Sequence, residues 1–178
     1  NVCIDLSKPE GRALALDLVR VSHVVLENFR PGVADRLGIG WDAVHAVNPR
    51  AVMVSVNGFG SDSSWREHGA FAPTMHAATG LIEYQARKSG APMVNLPDAR
   101  ADLTTSLHAT IGLLAALRAA ERSGEGQRVD LDLLSCIMAL QQQEITVYLN
   151  HGFLPERPAE NVGACGVTMD ITARKRSE

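Results

Sequence analysis

The sequence predicts an α/β fold built around a parallel sheet. Three short apolar runs, each of a length suited to a buried strand, alternate with helix-like segments over the first 60 residues. Parallel strands need a crossover between them, and that crossover is usually a helix, so the alternation indicates βαβ units. Beyond residue 72 the apolar residues recur at helical spacing, so helices are expected to follow the sheet.

The predicted strands are residues 2–6, 23–29 and 51–60. A helix is expected between the first two, because Leu14 and Leu18 recur at helical spacing and Ser7 is a favoured N-cap residue type. Two short helices are expected between the second and third strands. Gly38 can close the first of these helices, and the second is expected to stop before Pro49, since the residue before a proline disfavours helical dihedral angles.

The second half of the chain is predicted to be mostly helical. Residues 60–71 are polar and contain glycine, which is typical of a loop, and a helix is predicted over residues 73–84 with Pro73 in its first turn. An exposed turn over residues 87–97 then leads to a strong helix over residues 101–122.

This strong helix has one apolar side. The side comprises Leu103, Leu107, Ile111, Leu114 and Leu117. After the helix ends, residues 129–152 begin like a strand and continue as a further helix. We therefore expect one domain over residues 1–152 and a connector toward a second domain over residues 153–178.

Composition and charge are those of an ordinary globular protein. Hydrophobic residues make up 46% and charged residues 21%, with a net charge of -3 and a pI near 6.1, so no general attraction to nucleic acid is indicated. Aromatic residues are only 4%, which leaves few surfaces for stacking bases. No apolar run approaches the roughly 18 residues of a membrane span, so no membrane partner is expected.

The cysteines indicate the cellular compartment, and the first residue indicates that the chain is part of a longer protein. Cys3, Cys136 and Cys165 are far apart and odd in number, so neither a disulfide framework nor a CxxC metal pair is predicted. A reducing cytoplasm is the simplest compartment. The chain starts at Asn1 without a methionine, so we expect it to be part of a longer protein.

Charged and amide side chains follow the predicted second strand. Glu27, Asn28 and Arg30 lie together at its end, and Arg36 lies on the next helix. Ligands of open α/β sheets bind beyond the carboxyl ends of the strands, where guanidinium groups and helix N–H groups can hold phosphates. The alternative interpretation is a solvated surface loop. The sequence has no GxGxxG, P-loop or HExxH motif, so no motif supports a nicotinamide, ATP or zinc site. It also has no GxSxG motif, so a serine hydrolase with that nucleophile motif is disfavoured.

Asp102 stands directly before the apolar part of the long predicted helix. Aspartate is a favoured N-cap residue, and capping alone would explain it. A carboxylate at a helix N-terminus is also favoured as the anion, and an ionised carboxylate can attack an activated carbonyl to form a covalent intermediate. The two roles are compatible. Asp98, with Pro97 before it and Arg100 two residues after it, is interpreted as a loop residue in a local ion pair.

Four stretches together resemble the family III CoA-transferases, the group of formyl-CoA transferase and carnitine CoA-transferase. They are IDLSKPEGRALALDLV, VVLENFRPGVADRLGIGWDAVHAVNPR, VSVNGFGS and ADLTTSLHATIGLLAALRAAERSGEGQRVDLDLL, and they cover nearly all of residues 2–140. The resemblance implies the Rossmann-like large domain of that family. It also implies coenzyme A as a substrate thioester, a carboxylic acid as the second substrate, no metal, and a homodimer of the full-length protein.

The resemblance also implies a site. Asp102 matches the family's nucleophile, which attacks the acyl-CoA thioester to form an aspartyl mixed anhydride and then an aspartyl-CoA thioester. The family's coenzyme A contacts match Ile4, Asp5, Leu6, Ser7, Asn28, Phe29, Arg30, Arg36, Gly69, Ala70, Phe71 and Ala72.

The chain departs from the family pattern at residues 69–72 and in length. Many members read Gly-Tyr-Asp in this loop, whereas this chain reads Gly-Ala-Phe-Ala, so an aromatic residue is kept and the acidic residue is lost. Acyl-CoA racemases of the family need a histidine at the position of Phe71, so transfer is favoured over racemisation. Members are about twice this length, so segments before Asn1 and after Gly152 are expected to be missing. A third alternative is therefore an inactive CoA-binding or structural fragment.

Overall fold

The computed structural model describes residues 1–156, which form a three-stranded parallel sheet packed between helices. The elements are α1 (Pro9–Arg20), β1 (Val24–Glu27), α2 (Val33–Arg36), α3 (Trp41–Val47), β2 (Val52–Asn57), α4 (Ala72–Ala78), α5 (Leu81–Ser89), α6 (Arg100–Ser123), β3 (Arg128–Asp132), α7 (Leu133–Leu140) and α8 (Gln142–His151). The predicted α/β class is confirmed. The connector predicted over residues 153–178 lies outside the described residues from residue 157 onward.

Strand β2 is the middle strand of the sheet. It pairs in parallel with β1, where Val24 lies opposite Val52, and with β3, where Val54 lies opposite Val129. Val52, Met53 and Val54 are at most 1% exposed. Such a continuous buried apolar run is typical of a parallel strand that is covered on both faces.

The two faces of β2 belong to two different apolar clusters, because successive side chains of a strand point to opposite sides. Met53 packs with Val19 of α1 and Val44 of α3. Val52 and Val54 pack with Ala109, Ala116 and Ala120 of α6. The small alanine side chains allow the long helix to lie close to the sheet.

A third apolar cluster forms around the start of α6. Its buried members are Phe59, Ala72, Met75, Leu81, Leu96, Ala101, Leu133 and Ile137. Ala101 directly precedes Asp102, so this cluster holds the turn of α6 that carries the candidate nucleophile.

The strand predicted over residues 2–6 and the helix cap predicted at Ser7 are both wrong. No strand within the described part of the chain pairs with residues 2–6, and an extended segment without a partner has no hydrogen-bond ladder to stabilise it. The Ser7 N–H and hydroxyl donate to the Asp5 carboxylate at 2.9 and 2.6 Å. The N-cap of α1 is Lys8, which makes no side-chain cap bond.

Two predicted helices are interrupted. The helix predicted over residues 73–84 is split into α4 and α5 at Gly80, whose φ of 71° is a left-handed conformation that glycine adopts without steric cost. The helix predicted after β3 is split into α7 and α8 at Gln141, whose amide donates to the Thr79 carbonyl at 3.3 Å. Helix α5 also extends into the turn predicted over residues 87–97.

Helix α6 confirms the long predicted helix, but its leucine-rich side faces outward. Leu103, Leu107, Ile111 and Leu114 are 60% to 68% exposed. Leu117, the fifth residue predicted on that side, is instead partly buried against the cluster that contains Val52 and Val54. The buried residues of α6 are Ala101, Thr104, Thr105, Ala109, Ala116 and Ala120. The apolar periodicity therefore predicted the helix correctly, whereas the face that packs on the sheet is set by small residues.

Candidate functional site

A cleft of about 650 Å³ opens at the carboxyl ends of β1 and β2. Residues that follow each of the two strands line it, together with the first turns of α6 and the loop between β2 and α4. This is the edge at which open α/β sheets bind ligands.

Asp102 lines this cleft from the first turn of α6. The helix begins at Arg100, with Ala99 as its N-cap and no capping side chain from that residue, so the prediction that Asp102 is the N-cap is wrong. Asp102 is the third residue of the helix and is exposed. Ser106 Oγ donates to the Asp102 main-chain carbonyl and not to its carboxylate, at 2.8 Å.

The competing carboxylate is held outside the cleft. Asp98 Oδ2 lies 3.0 Å from an Arg100 guanidinium nitrogen, which confirms the predicted local ion pair. Asp98 is not among the residues that line the 650 Å³ cleft. Of the two aspartates, only Asp102 lines the cleft.

The segment after β1 presents an arginine to the cleft. The Phe29 N–H donates to Glu27 Oε2 at 2.7 Å, and the Asn28 amide donates to the Val56 carbonyl at 2.8 Å. These bonds fix the direction of the chain beyond the strand, so that Asn28, Phe29 and Arg30 all line the cleft. Within residues 1–156 Arg30 takes part in no ion pair, so its guanidinium can meet an anionic ligand.

The loop before α4 lies against both strand ends. A Cβ added at Gly58 would lie 2.1 Å from the Ala70 Cβ, so the close approach of this loop to the end of β2 requires glycine. A Cβ added at Gly69 would lie 3.6 Å from an Arg30 guanidinium nitrogen, which puts Arg30 beside the same loop. Phe71 is 73% exposed and lines the cleft.

The structure brings seven of the thirteen predicted site residues to this cleft. The seven are Asn28, Phe29, Arg30, Gly69, Ala70, Phe71 and Asp102. The other six do not line it, and they are Ile4, Asp5, Leu6, Ser7, Arg36 and Ala72. Ala72 is 4% exposed and packs in the cluster around the start of α6, whereas Arg36 is exposed on α2. The coenzyme A contacts of all twelve binding candidates stay predictions.

The turn before α1 is stabilised by its own hydrogen bonds. The hydroxyl and the N–H of Ser7 lower the pKa of the Asp5 carboxyl below its usual value, because both donate to the ionised form. The Arg12 guanidinium donates to the Leu6 carbonyl at 3.1 Å. These contacts give the turn a defined shape, but it does not line the 650 Å³ cleft.

Sequence reasoning missed several polar residues of the cleft. They are Thr105, Ser106 and Thr110 on α6, and Arg66 and His68 on the loop before α4. A signal for the helix residues existed, since Ser106 and Thr110 follow Asp102 at intervals of four and so share a side of the helix. The loop residues carry no such periodicity, and only the folded chain brings them near Asp102.

The cleft offers one carboxylate, that of Asp102, and two guanidinium groups, those of Arg30 and Arg66. Within residues 1–156 no group of three or more histidine, cysteine, aspartate or glutamate residues could hold a metal ion. None of the helices in that part of the chain combines the length and apolarity needed to cross a membrane.

Known proteins share both the sequence and the fold. The chain matches the family model of CoA-transferase family III over residues 1–170. It is 34% identical over 148 residues to the succinyl-CoA–L-malate CoA-transferase beta subunit of Chloroflexus aurantiacus, covering 83% of this chain and 36% of that protein. It is 32% identical over 165 residues to the formyl-CoA:oxalate CoA-transferase of Streptomyces avermitilis, covering 92% of this chain and 40% of that protein. The chain thus spans little more than a third of the length of these relatives.

A solved structure carries the same fold. The crystal structure of a CaiB/BaiF family protein from Brucella suis matches with a TM-score of 0.80 at 28% identity, covering 86% of this chain and 40% of that chain. The family match and the shared α/β fold agree with the order of the quoted sequence stretches. The chain belongs to CoA-transferase family III.

Proposed function

We propose that this chain carries the nucleophile and part of the coenzyme A site of an enzyme that moves CoA from an acyl-CoA thioester to a carboxylic acid. The observation that carries the proposal is Asp102, an exposed carboxylate at a helix N-terminus, on a cleft shared with Arg30 and Phe71. The names of the relatives support the reaction class, since they pair succinyl-CoA with L-malate and formyl-CoA with oxalate.

The proposed reaction proceeds through covalent intermediates on Asp102. A carboxylate oxygen attacks the thioester carbonyl carbon, and the C–S bond breaks to give an aspartyl mixed anhydride and CoA thiolate. The thiolate attacks the aspartyl carbonyl, which releases the donor acid and forms an aspartyl-CoA thioester. The acceptor carboxylate attacks the carbonyl carbon of that thioester, and the C–S bond breaks to give a second anhydride and CoA thiolate. The thiolate then attacks the acceptor's acyl carbon, giving the new CoA thioester and the free Asp102 carboxylate.

The charges around the cleft suit these steps. The CoA thiolate, the CoA phosphate esters, and the donor and acceptor carboxylates are all anions, and guanidinium groups reduce the repulsion among them and Asp102. Arg30 and Arg66 both line the cleft. Arg66 lies 3.4 Å from Glu67, and both side chains are more than half exposed, so this pair can open at little cost.

The hydroxyl groups on the same side of α6 are poor competitors for the acyl group. Ser106 Oγ donates to the Asp102 carbonyl and Thr110 Oγ1 donates to the Ser106 carbonyl, both at 2.8 Å. In these contacts both hydroxyls donate to main-chain carbonyls, and neither donates to a side-chain base that could activate it as a nucleophile. Asp102 is therefore the nucleophile that we assign to this part of the cleft.

The test is to trap the aspartyl intermediate. The protein is incubated with an acyl-CoA and hydroxylamine, and the hydroxamate is located by mass spectrometry. We expect the label on Asp102, and we expect Asp102→Asn to lower CoA transfer by at least about 10³-fold. Asp98→Asn is the matched control, because Asp98 lies outside the cleft, and it should stay within about threefold of the unchanged protein. A label on Asp98, or full transfer by Asp102→Asn, would contradict the assignment.

Acyl-CoA racemisation is the second candidate. The observation that favours it is His68, which lines the same cleft as Asp102 and could pair with it as a second base. Against it, Phe71 stands where the racemase histidine is expected. The centroid of the His68 ring also lies 5.9 Å from that of Trp65 and 6.4 Å from that of Phe59, so the imidazole packs against aromatic rings. Solvent deuterium entering the α-carbon of a 2-methylacyl-CoA without an acceptor acid would support racemisation and count against transfer.

Binding without turnover is the third candidate, since a cleft lined by Arg30 and Arg66 can hold an anionic ligand whether or not Asp102 reacts. Calorimetry distinguishes it from the proposal. Measurable CoA binding with no hydroxamate on any residue would support a binding or structural role.

Location and assembly belong to the same proposal. A cytoplasmic location fits the free thiols of Cys3 and Cys136, since a reducing compartment keeps thiols unpaired. A homodimer fits the exposed apolar side of α6, because a contiguous apolar surface is commonly covered by a partner. Light scattering of the purified protein measures the oligomeric state directly.

A further inference from the structure

We infer that His76 positions Asp102 by capping the N-terminus of α6 from the neighbouring helix α4. The inference deepens the proposed function, because it rests on Asp102 being the nucleophile. His76 does not line the cleft, so its role is to position the nucleophile and not to contact the substrate.

The first turn of α6 lacks a cap of its own. Its N-cap residue is Ala99, which offers no side-chain acceptor. The first N–H groups of a helix have no partner inside the helix, and a buried N–H without a partner is costly. Ala101, the second residue of α6, is 0% exposed, so water cannot easily satisfy its N–H. An acceptor from elsewhere in the fold is required.

His76 supplies that acceptor. Its side chain is 0% exposed, and its Nε2 accepts from the Ala101 N–H at 3.4 Å. Its Nδ1 lies 3.2 Å from the Asn95 side-chain oxygen. A histidine between a donor and an acceptor is defined as one tautomer, because Nε2 must be unprotonated to accept and Nδ1 must carry the proton to donate. The orientation of the His76 ring is therefore fixed by contacts at both nitrogens.

This ring links two parts of the site that are far apart in sequence. Helix α4 begins directly after the 69–71 segment that lines the cleft, and α6 carries Asp102 immediately after the capped Ala101. Met75 and Ala101 pack in the same buried cluster, so the contact lies in a well-packed environment. A shift of either helix would change the distance between the loop and the nucleophile. Misplacement of a reacting group by about 1 Å can cost about 10²-fold in rate.

Two variants of similar volume separate capping from packing. His76→Gln keeps an oxygen acceptor that can reach the Ala101 N–H, whereas His76→Leu fills the space without an acceptor. We expect His76→Leu to slow acylation of Asp102 about 10- to 100-fold with little change in the KM for acyl-CoA. We expect His76→Gln to stay within about threefold of the unchanged protein. Equal rates for the leucine and glutamine variants would overturn the inference.

The Asp102→Asn variant, measured in parallel, separates the two proposals. If Asp102→Asn abolishes acylation while both His76 variants acylate normally, the positioning role is wrong and the nucleophile stands. If the unchanged protein and Asp102→Asn give the same labelling, both are wrong.

A measurement on the unchanged protein covers the case in which His76→Leu does not fold. Long-range ¹H–¹⁵N correlation of the imidazole identifies which ring nitrogen carries the proton. We expect the Nδ1–H tautomer at neutral pH. A proton on Nε2 would overturn the inference, because that nitrogen could not then accept from the helix.

Discussion

Ser55 is a buried hydroxyl without a partner. It is 2% exposed in the middle strand, and its Oγ makes no hydrogen bond within the described part of the chain. Its neighbours across the sheet are Glu27 and Asp130. An unsatisfied buried hydroxyl costs roughly 1–3 kcal/mol, so this position lowers the stability of the folded chain.

Replacing this hydroxyl should not weaken the fold. We expect Ser55→Ala to leave the free energy of unfolding unchanged or to raise it by up to about 1 kcal/mol, measured by urea denaturation. Thr105→Val is the matched control, because Thr105 is also 2% exposed but its Oγ1 donates to the Ala101 carbonyl at 2.7 Å. That variant should lose about 1 kcal/mol. A loss of more than about 1 kcal/mol in Ser55→Ala would show that the hydroxyl has a partner.

Cys136 gives a pH dependence with a defined sign. Burial raises the pKa of the Cys136 thiol above its usual value and the charge of Asp132 adds to the rise, while a hydrogen bond with Thr105 acts in the opposite direction. A raised pKa means that the unfolded thiol ionises at a pH at which the folded thiol does not. The resulting stability is fully present below the unfolded pKa, about 8.5, and is lost as pH rises through the folded pKa.

We therefore expect the free energy of unfolding to fall more steeply between about pH 8 and pH 10 in the unchanged protein than in Cys136→Ala. Urea titrations across that range measure the slopes. Cys3→Ala serves as the control, since Cys3 is exposed, and it should keep the slope of the unchanged protein. Identical slopes in the Cys136 and Cys3 variants would contradict the expectation.

At the scale of an element, α6 has two sides with different roles. The side toward the sheet carries buried alanines with Leu113 and Leu117 partly buried beside them, and the outward side carries Leu103, Leu107, Ile111 and Leu114. Side-chain volume decides this arrangement, because a long helix that packs close to a parallel sheet leaves little room on its inner side. The exposed apolar residues are then available for a partner surface.

Substitutions on the two sides of α6 should change stability by different amounts. We expect Leu107→Ala, at a position 67% exposed, to change stability by at most about 0.5 kcal/mol. We expect Ala116→Leu, at a position 2% exposed, to destabilise by about 1–3 kcal/mol, because the added atoms overpack the contact with β2. Chemical denaturation of dilute protein measures both. A large loss in Leu107→Ala would indicate that this side is covered in solution.

At the scale of the whole molecule, β2 belongs to two cores at once. Met53 is 1% exposed in the cluster with α1 and α3, and Val54 is 0% exposed in the cluster with α6. One strand therefore couples the packing on both faces of the sheet. Loss of either cluster is expected to destabilise the other.

Met53→Ala tests this coupling. We expect a loss of about 2–5 kcal/mol and reduced amide protection in α6 as well as in α1, measured by hydrogen exchange. Met93→Ala, at a position 60% exposed, is the control of the same chemical type and should leave protection unchanged. Loss of protection in α1 alone would mean that the two faces unfold independently.

Local patterns carried much of the fold. The alternation of apolar runs and helical spacing predicted β1, β2, α1 and α6, and Gly38 and Pro49 marked the ends of short helices correctly. These features follow from dihedral preferences and side-chain periodicity within a few residues. The segment at residues 2–6 failed for a related reason, since a strand needs a neighbour and a local pattern does not supply one.

The sequence by itself determined the α/β class and the long helix, and it predicted Asp102 as a candidate nucleophile. Only the tertiary structure decided which side of α6 is buried, that Asp102 is the third residue of its helix, and which predicted residues share a cleft. It also revealed the contact of His76 with Ala101, two residues 25 positions apart. The reason is physical: propensity and periodicity act over one or two helical turns, whereas packing volume and hydrogen-bond satisfaction depend on residues that only the folded chain brings together.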